Sequence, residues 1–185
     1  MTENDLPSSK PETINGLQVR RAQPSDLDEV WRIIKSCSDW LKGQGMNHWD
    51  KYYTKELVEK KLTTQEVYLA FDPDGLVGTI TLDMSPVSYY EKKDIASFAD
   101  PEAQALYVTA LAVLPEHQGK GTASKLMGFA ETQVKKREIG FIRFDCRASY
   151  TDLINFYTKR GYKRTGDIID TEDNNEVYYL MEKQV

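Results

Sequence analysis

Gln118-Gly119-Lys120-Gly121-Thr122-Ala123 stands between two strongly patterned segments, and the reading of these six residues decides the fold. Before them, Ala105 to Val113 (Ala-Leu-Tyr-Val-Thr-Ala-Leu-Ala-Val) has the length and apolar continuity of a strand buried on both faces, closed by Pro115. After them, Gly121 to Arg137 is made of helix formers. Leu126, Met127, Ala130 and Val134 lie on one side, basic residues gather near the end, and Gly140 follows. A strand, a glycine turn and a helix in direct succession leave unpaired N–H groups at a helix N-terminus, which is an anion site. Glycine lets the backbone approach the anion, the helix dipole contributes roughly 0.3 to 1 kcal/mol, and Lys120 adds a full positive charge.

Two familiar phosphate motifs fail on the letters. A P-loop needs Gly-x-x-x-x-Gly-Lys-Ser/Thr, whereas Lys120 precedes Gly121 and no earlier glycine stands at the required distance. A dinucleotide fingerprint needs glycine where Ser124 stands, and belongs in a first strand-helix unit rather than after several strands.

Outward from the turn, alternation over Leu17 to Arg21 predicts a strand, and Gln23-Pro24-Ser25 a turn and helix N-cap. Leu27, Val30, Trp31, Ile34, Cys37 and Leu41 form the stripe of a helix from about Ser25 to Leu41, stopped by Gly43 and Gly45. A short helix is expected after Thr54, then a hairpin of Glu66 to Phe71 and Leu76 to Leu82 about Asp72-Pro73-Asp74-Gly75. Met84 to Ala103 shows no clear period and is long for a connection. Phe141 to Cys146 reads as a strand, Thr151 to Arg160 as a helix capped by Gly161, and Tyr162 onward with Val177 to Met181 as a terminal hairpin.

The chain has 185 residues, 40% of them hydrophobic and 29% charged, which suits one globular domain. A net charge of -5 without a long basic run lacks the footprint of a nucleic-acid or anionic-membrane binder and mildly favours cationic substrates. Cys37 and Cys146 are too few and too far apart for a disulfide framework or zinc site, so no metal is expected. No apolar run reaches the roughly 20 residues of a membrane-spanning helix, and the polar start is not signal-like; the expectation is a cytoplasmic protein, monomer or homodimer. Residues 1–15 read as a disordered or flexible tail and 16–185 as one domain.

Gln118 to Ala123 also matches the Gln/Arg-x-x-Gly-x-Gly/Ala motif of the GNAT superfamily of acyl-CoA-dependent N-acetyltransferases, although a purely structural glycine turn satisfies the same letters. Leu111-Ala112-Val113 before the turn, the strand Phe141 to Cys146, and Phe156-Tyr157-Thr158-Lys159-Arg160-Gly161-Tyr162 resemble that superfamily's core in order and spacing. The resemblance is close from Ala105 to Asp167. Through Trp40-Leu41, Gly45 and Trp49, which look like a subgroup of small bacterial-type members, it extends loosely to Leu17. It implies an α/β (α+β) GNAT fold: a mixed, mostly antiparallel sheet of six to seven strands flanked by about four helices.

The resemblance further implies acetyl-CoA as co-substrate, held by Leu111, Ala112, Val113, Gln118, Gly119, Lys120, Gly121, Thr122, Ala123, Ser124, Asn155 and Tyr157. Making an amide from a thioester requires an unprotonated amine, a stabilised oxyanion and a stabilised leaving thiolate. An alkyl amine with a pKa of about 10.4 costs roughly 4 to 5 kcal/mol to deprotonate at neutral pH. For the oxyanion, the resemblance implies a bulge in the strand Ala105 to Val113 that exposes N–H groups near Leu111 to Val113 and lets the pantetheine arm pair as another strand. Tyr157 occupies the position of the superfamily's tyrosine acid; otherwise it simply packs beside Phe156.

The chain departs from the pattern at Thr109, where many relatives carry a basic glutamate, and at Tyr150, where many carry asparagine. Asp83, Asp145 or a water relay would then serve as base, with Asp83 taken beside Tyr157 as catalytic, although a carboxylate near a strand end also reads as a solvated or capping residue. Asn155 is either a cofactor contact or an exposed helical residue, and Cys146 a buried strand residue without features that activate a thiol. Gly43 to Asp50 and Met84 to Ala103 fall on the acceptor side, and Trp40, Trp49, Tyr89, Tyr90 and Thr109 are the expected substrate contacts. A core-closing role for Trp40 stays open, and His48 and His117 read as surface residues. The function so implied is acetyl transfer to a primary amine of a small molecule, peptide N-terminus or lysine by direct attack in a ternary complex. A non-catalytic acyl-CoA-binding or sensor domain is the alternative.

Overall fold

Asn15-Gly16 is the first structural punctuation: both residues have positive φ, 48° and 78°, as a type I′ hairpin turn demands. It joins β1 (Glu12–Ile14) to β2 (Leu17–Arg21), with Ile14 opposite Leu17. The computed structural model describes residues 10–170 and 175–185, so residues 1–9 of the expected tail lie outside the described residues. Glu12–Ile14, inside that expected tail, is a paired strand because the Asn-Gly turn folds it back on β2.

The remaining elements are α1 (Leu27–Gly43), α2 (His48–Tyr52), α3 (Lys55–Thr64), β3 (Glu66–Asp72), β4 (Gly75–Asp83), α4 (Lys92–Ile95), β5 (Ala105–Val113), α5 (Thr122–Lys136), β6 (Phe141–Arg147), α6 (Thr151–Lys159), β7 (Lys163–Asp170) and β8 (Glu176–Gln184). The sheet has eight strands in the order β1-β2-β3-β4-β5-β6-β8-β7. β5 and β6 pair in parallel, whereas β1-β2, β2-β3, β6-β8 and β7-β8 are antiparallel. This is the mixed sheet expected; among the described residues it has one strand more than the six to seven read from the sequence, with six α-helices rather than about four. The additions are short: β1 has 3 residues, α4 has 4 and α2 has 5, too few to establish a hydrophobic period.

By its internal packing the chain divides into two units. One runs to Ile80 and resumes over Leu111–Leu126; the other comprises Thr81–Ala110 and Met127–Val185. In the first, α1 buries Val30, Ile33, Ile34, Cys37, Ser38 and Leu41 at three- and four-residue spacing. The expected turn and cap at Gln23-Pro24-Ser25 form as a short 3-10 turn, Pro24–Asp26, capped at Gln23: the Asp26 carboxylate accepts from Gln23 N at 2.8 Å and pairs with Arg20 at 2.7 Å. Asp72 closes the β3-β4 hairpin by accepting from Asp74 N and Gly75 N.

In the second unit β6 ladders on β8 from Phe141↔Gln184 to Arg147↔Tyr178. Arg143 is fully buried and paired with Glu182 at 2.8 Å. The same guanidinium donates to Asp100 O and Ala103 O, while Glu182 accepts from Ala99 N. The aperiodic segment after Met84 is thus anchored from outside itself, by a buried ion pair whose rupture costs about 3 to 5 kcal/mol. Tyr90, Phe98 and Tyr107 pack as three rings with centroids 6.4 to 6.5 Å apart.

Candidate functional site

The glycine turn forms as its letters require. Gly119 and Gly121 have φ of +73° and +83°, a region L side chains avoid, and the space beside each is open. Helix α5 makes its first internal bond from Lys125 N to Gly121 O, so the N–H groups of Thr122, Ala123 and Ser124 precede the helical ladder. Lys120 is exposed on the same turn. The Gln118 side chain serves the scaffold: its amide donates to Val113 O at 3.2 Å. Cys37 Sγ donates to the same carbonyl at 3.1 Å, so the end of β5 is held from α1 and from the turn. Burial pushes the Cys37 thiol up to about 12, so it remains a donor. Behind β5, Gly78 of β4 allows Ala112 O so close that a Cβ would meet it at 2.7 Å.

In the second unit, Tyr157 of α6 is 5% exposed and packs on Phe144 with ring centroids 4.4 Å apart, on Phe156 at 5.1 Å and on Tyr162 at 5.9 Å. Its hydroxyl has no protein hydrogen-bond partner among the described residues. Burial, with smaller contributions from Cys146 and Asp145, raises the phenol far above its ordinary range, so it is a proton-bearing donor at neutral pH. β5 pairs with β6 from Ala105↔Phe141 to Tyr107↔Arg143, and β6 runs four residues further, still laddered on β8.

Asp145 lies in the stretch of β6 beyond that point. Both Tyr89 and Tyr90 donate to its Oδ1 at 2.7 Å. Burial raises the Asp145 carboxyl, and the two phenol bonds pull partly back. Tyr90 is 8% exposed; burial first, and the Asp145 charge second, hold its phenol protonated. Among the described residues no lysine, arginine or histidine pairs with Asp145.

The Acetyltransferase (GNAT) family model matches residues 34–162. The chain belongs to the GNAT acetyltransferase family. It is similar to a Bacillus subtilis (strain 168) protein named uncharacterized N-acetyltransferase YesJ, with 24% identity over 179 residues and 94% of each chain covered. A GNAT-family acetyltransferase of Listeria monocytogenes matches its structure with a TM-score of 0.73 and 24% identity, covering 95% of this chain and 100% of that one. The PaiA N-acetyltransferase of Thermoplasma acidophilum, solved in complex with coenzyme A, matches with a TM-score of 0.63 and 19% identity, covering 91% of this chain and 99% of that one.

Within this GNAT chain the expected site residues fall into separate groups. Leu111, Ala112 and Val113 lead into the glycine turn, and Tyr89 and Tyr90 meet on Asp145. Asn155 is exposed on α6. Asp83 ends β4, where its carboxylate accepts from Ser85 N at 2.9 Å and caps the turn. Thr109 is partly buried on β5. Trp40 is half-buried on α1, and Trp49 of α2 packs on Tyr53 with centroids 4.9 Å apart. His117 faces Asp72 at 3.3 Å, and Cys146 is buried with its thiol pushed up to about 12 by desolvation. Sequence reasoning missed the Cys37 and Gly78 contacts with β5. A glycine inside a strand is the one signal that marked Gly78. Among the described residues no cluster of three His, Cys, Asp or Glu is placed to hold a metal, and no helix is long and apolar enough to cross a membrane.

Proposed function

We propose that this GNAT protein transfers an acetyl group from acetyl-CoA to a primary amine by direct attack in a ternary complex. The observation that carries the reading is the open N-terminus of α5, where two positive-φ glycines, Lys120 and the leading N–H groups of Thr122 to Ser124 form a nest for a pyrophosphate. The coenzyme A complex of the PaiA relative supports the choice of anion. N–H groups near Leu111 to Val113 serve the tetrahedral oxyanion, and anchoring of Val113 O by Cys37 and Gln118 keeps that strand end rigid. Tyr157, whose hydroxyl has no hydrogen-bond partner among the described residues, donates to the departing thiolate.

Titration calorimetry with acetyl-CoA, ATP and NAD, followed by thiol release across a panel of amines and peptides, tests the reading. Acetyl-CoA alone should bind, and thiol release should depend on an amine. Binding of ATP or NAD in its place refutes the cradle assignment. Tight acetyl-CoA binding without transfer to any acceptor replaces the enzyme by a non-catalytic acyl-CoA sensor.

A further inference from the structure

Val113, the last residue of β5, has a carbonyl oxygen that two side chains reach from different elements. Cys37 Sγ donates to it from α1 at 3.1 Å, and the Gln118 amide donates to it from the glycine turn at 3.2 Å. A carbonyl oxygen has two lone pairs, so the pair of donors fills it. The same peptide is held at its other end, where Leu114 N donates to Val77 O on β4 at 2.9 Å. The preceding peptide is confined as well: Ala112 O stands so close to Gly78 of β4 that an added Cβ would meet it at 2.7 Å. In a trans peptide the C=O and the N–H point in opposite directions. With Ala112 O against β4, the Val113 N–H therefore faces away from β4, on the edge where Cys37 and Gln118 meet the Val113 carbonyl.

This arrangement changes what the end of β5 offers a ligand. Its last carbonyl is already bonded within the protein, so a strand-like partner cannot use that oxygen without displacing a donor. The N–H beside it is the group left to act outward, and fixed N–H donors stabilise a developing oxyanion because they need no reorganisation. Of the two side chains, Cys37 is the rigid one. It is 5% exposed, on a helix that also buries Val30, Ile33, Ile34 and Leu41. Its thiol, pushed up to about 12 by burial, keeps its proton at neutral pH and so remains a donor.

We propose that Cys37 is a positioning residue for acetyl transfer: with Gln118 it fixes the Val113 carbonyl and thereby aims the Val113 N–H at the thioester oxygen. This rests on the acetyltransferase reading. Cys37 touches no reacting atom, and its effect is on the polarisation of the thioester carbonyl rather than on the grip of the pyrophosphate nest.

The experiment uses the whole chain and acetyl-CoA carrying carbon-13 at the acetyl carbonyl, whose resonance moves downfield when a donor polarises the C=O bond. Calorimetry on the same preparations gives Kd and Tm. The unmodified protein should displace the bound carbonyl downfield of the free one. Cys37→Ala should lose at least half of that displacement while the acetyl-CoA Kd stays within twofold. Cys37→Ser, which restores a donor, should recover most of it even where its Tm is no higher than that of the alanine variant. Gln118→Met, on the turn rather than in the core, should also reduce the displacement, and it decides the matter should the Cys37 variants fail to fold. A full displacement in Cys37→Ala or in Gln118→Met overturns the proposal, as does a serine variant that behaves like alanine. Acetyl-CoA that binds the unmodified protein with no displacement overturns it too, while leaving the cradle assignment intact. Failure of acetyl-CoA to bind at all refutes the acetyltransferase reading, and the role of Cys37 with it.

Discussion

Replacing Tyr157 by Phe removes one oxygen and leaves every protein contact of the ring in place. The ring keeps Phe144, Phe156 and Tyr162 at 4.4, 5.1 and 5.9 Å, and the lost hydroxyl has no hydrogen-bond partner among the described residues. The expected stability change is therefore small, within about 0.5 kcal/mol, since no buried donor or acceptor is orphaned. A hydrogen bond to a charged thiolate is worth about 1.5 to 3 kcal/mol, and its loss in the transition state lowers kcat roughly 10- to 150-fold. KM for acetyl-CoA should stay within about twofold, because the phenol is remote in role from the pyrophosphate nest. The assay pairs thiol release, followed with a thiol-reactive chromophore, with a calorimetric melting curve of the same preparation. Tyr157→Ala is the contrasting variant: it empties an aromatic site and costs about 3 to 5 kcal/mol, so its loss of activity says nothing about the hydroxyl. Unchanged kcat in Tyr157→Phe, accompanied by a fall in Tm, would show that the phenol is structural and refute the assignment.

Gly78→Ala puts a methyl 2.7 Å from Ala112 O, inside the 3.0 Å that real Cβ atoms respect, so β5 must shift; a loss of about 1 to 3 kcal/mol in a urea titration and weaker acetyl-CoA binding by calorimetry are expected. Gly121→Ala meets no atom but forces a side chain to φ +83°, and should cost about 1 to 2 kcal/mol and raise the acetyl-CoA Kd, the loss of affinity arising from backbone strain alone. Glu131 is raised by burial yet held below the usual glutamate range by Lys183 and Arg160. Its stabilisation is therefore complete above the unfolded glutamate pKa of about 4.3 and disappears as pH falls through the lower folded value; urea midpoints from neutral to acid pH should show a shallower acid limb in Glu131→Gln.

The parts of the fold legible in the sequence were those encoded by neighbouring residues. The unbroken apolar run Ala105–Val113, the stripe of α1 and the turn at Asp72 announce β5, the helix and the β3-β4 hairpin, because period and turn chemistry act over a few residues. Asn15-Gly16 carried an equally local hairpin signal, but β1 offers only three residues beside it and its polar surroundings read as tail. The eighth strand and the two shortest helices owe their existence to what they pack on. The turn before α1 is closed by a contact within Gln23 to Asp26, the Asp26 carboxylate accepting from Gln23 N while Arg20, on the preceding strand, holds it in place.

By itself the sequence determined the glycine turn and, through the family it reveals, the donor side that we propose for the site. Positive φ is adopted most readily by glycine, and helix-terminal N–H groups are left over wherever a helix begins, so six adjacent residues suffice to propose an anion nest. Tertiary structure alone brought together residues that the sequence had named separately. Asp145 meets Tyr89 and Tyr90, 56 and 55 residues away in sequence, only because the fold brings their phenols to it. Likewise Arg143 ties down the aperiodic loop and Gly78 admits Ala112 O, since partners distant along the chain are chosen by burial and shape, which no local pattern records.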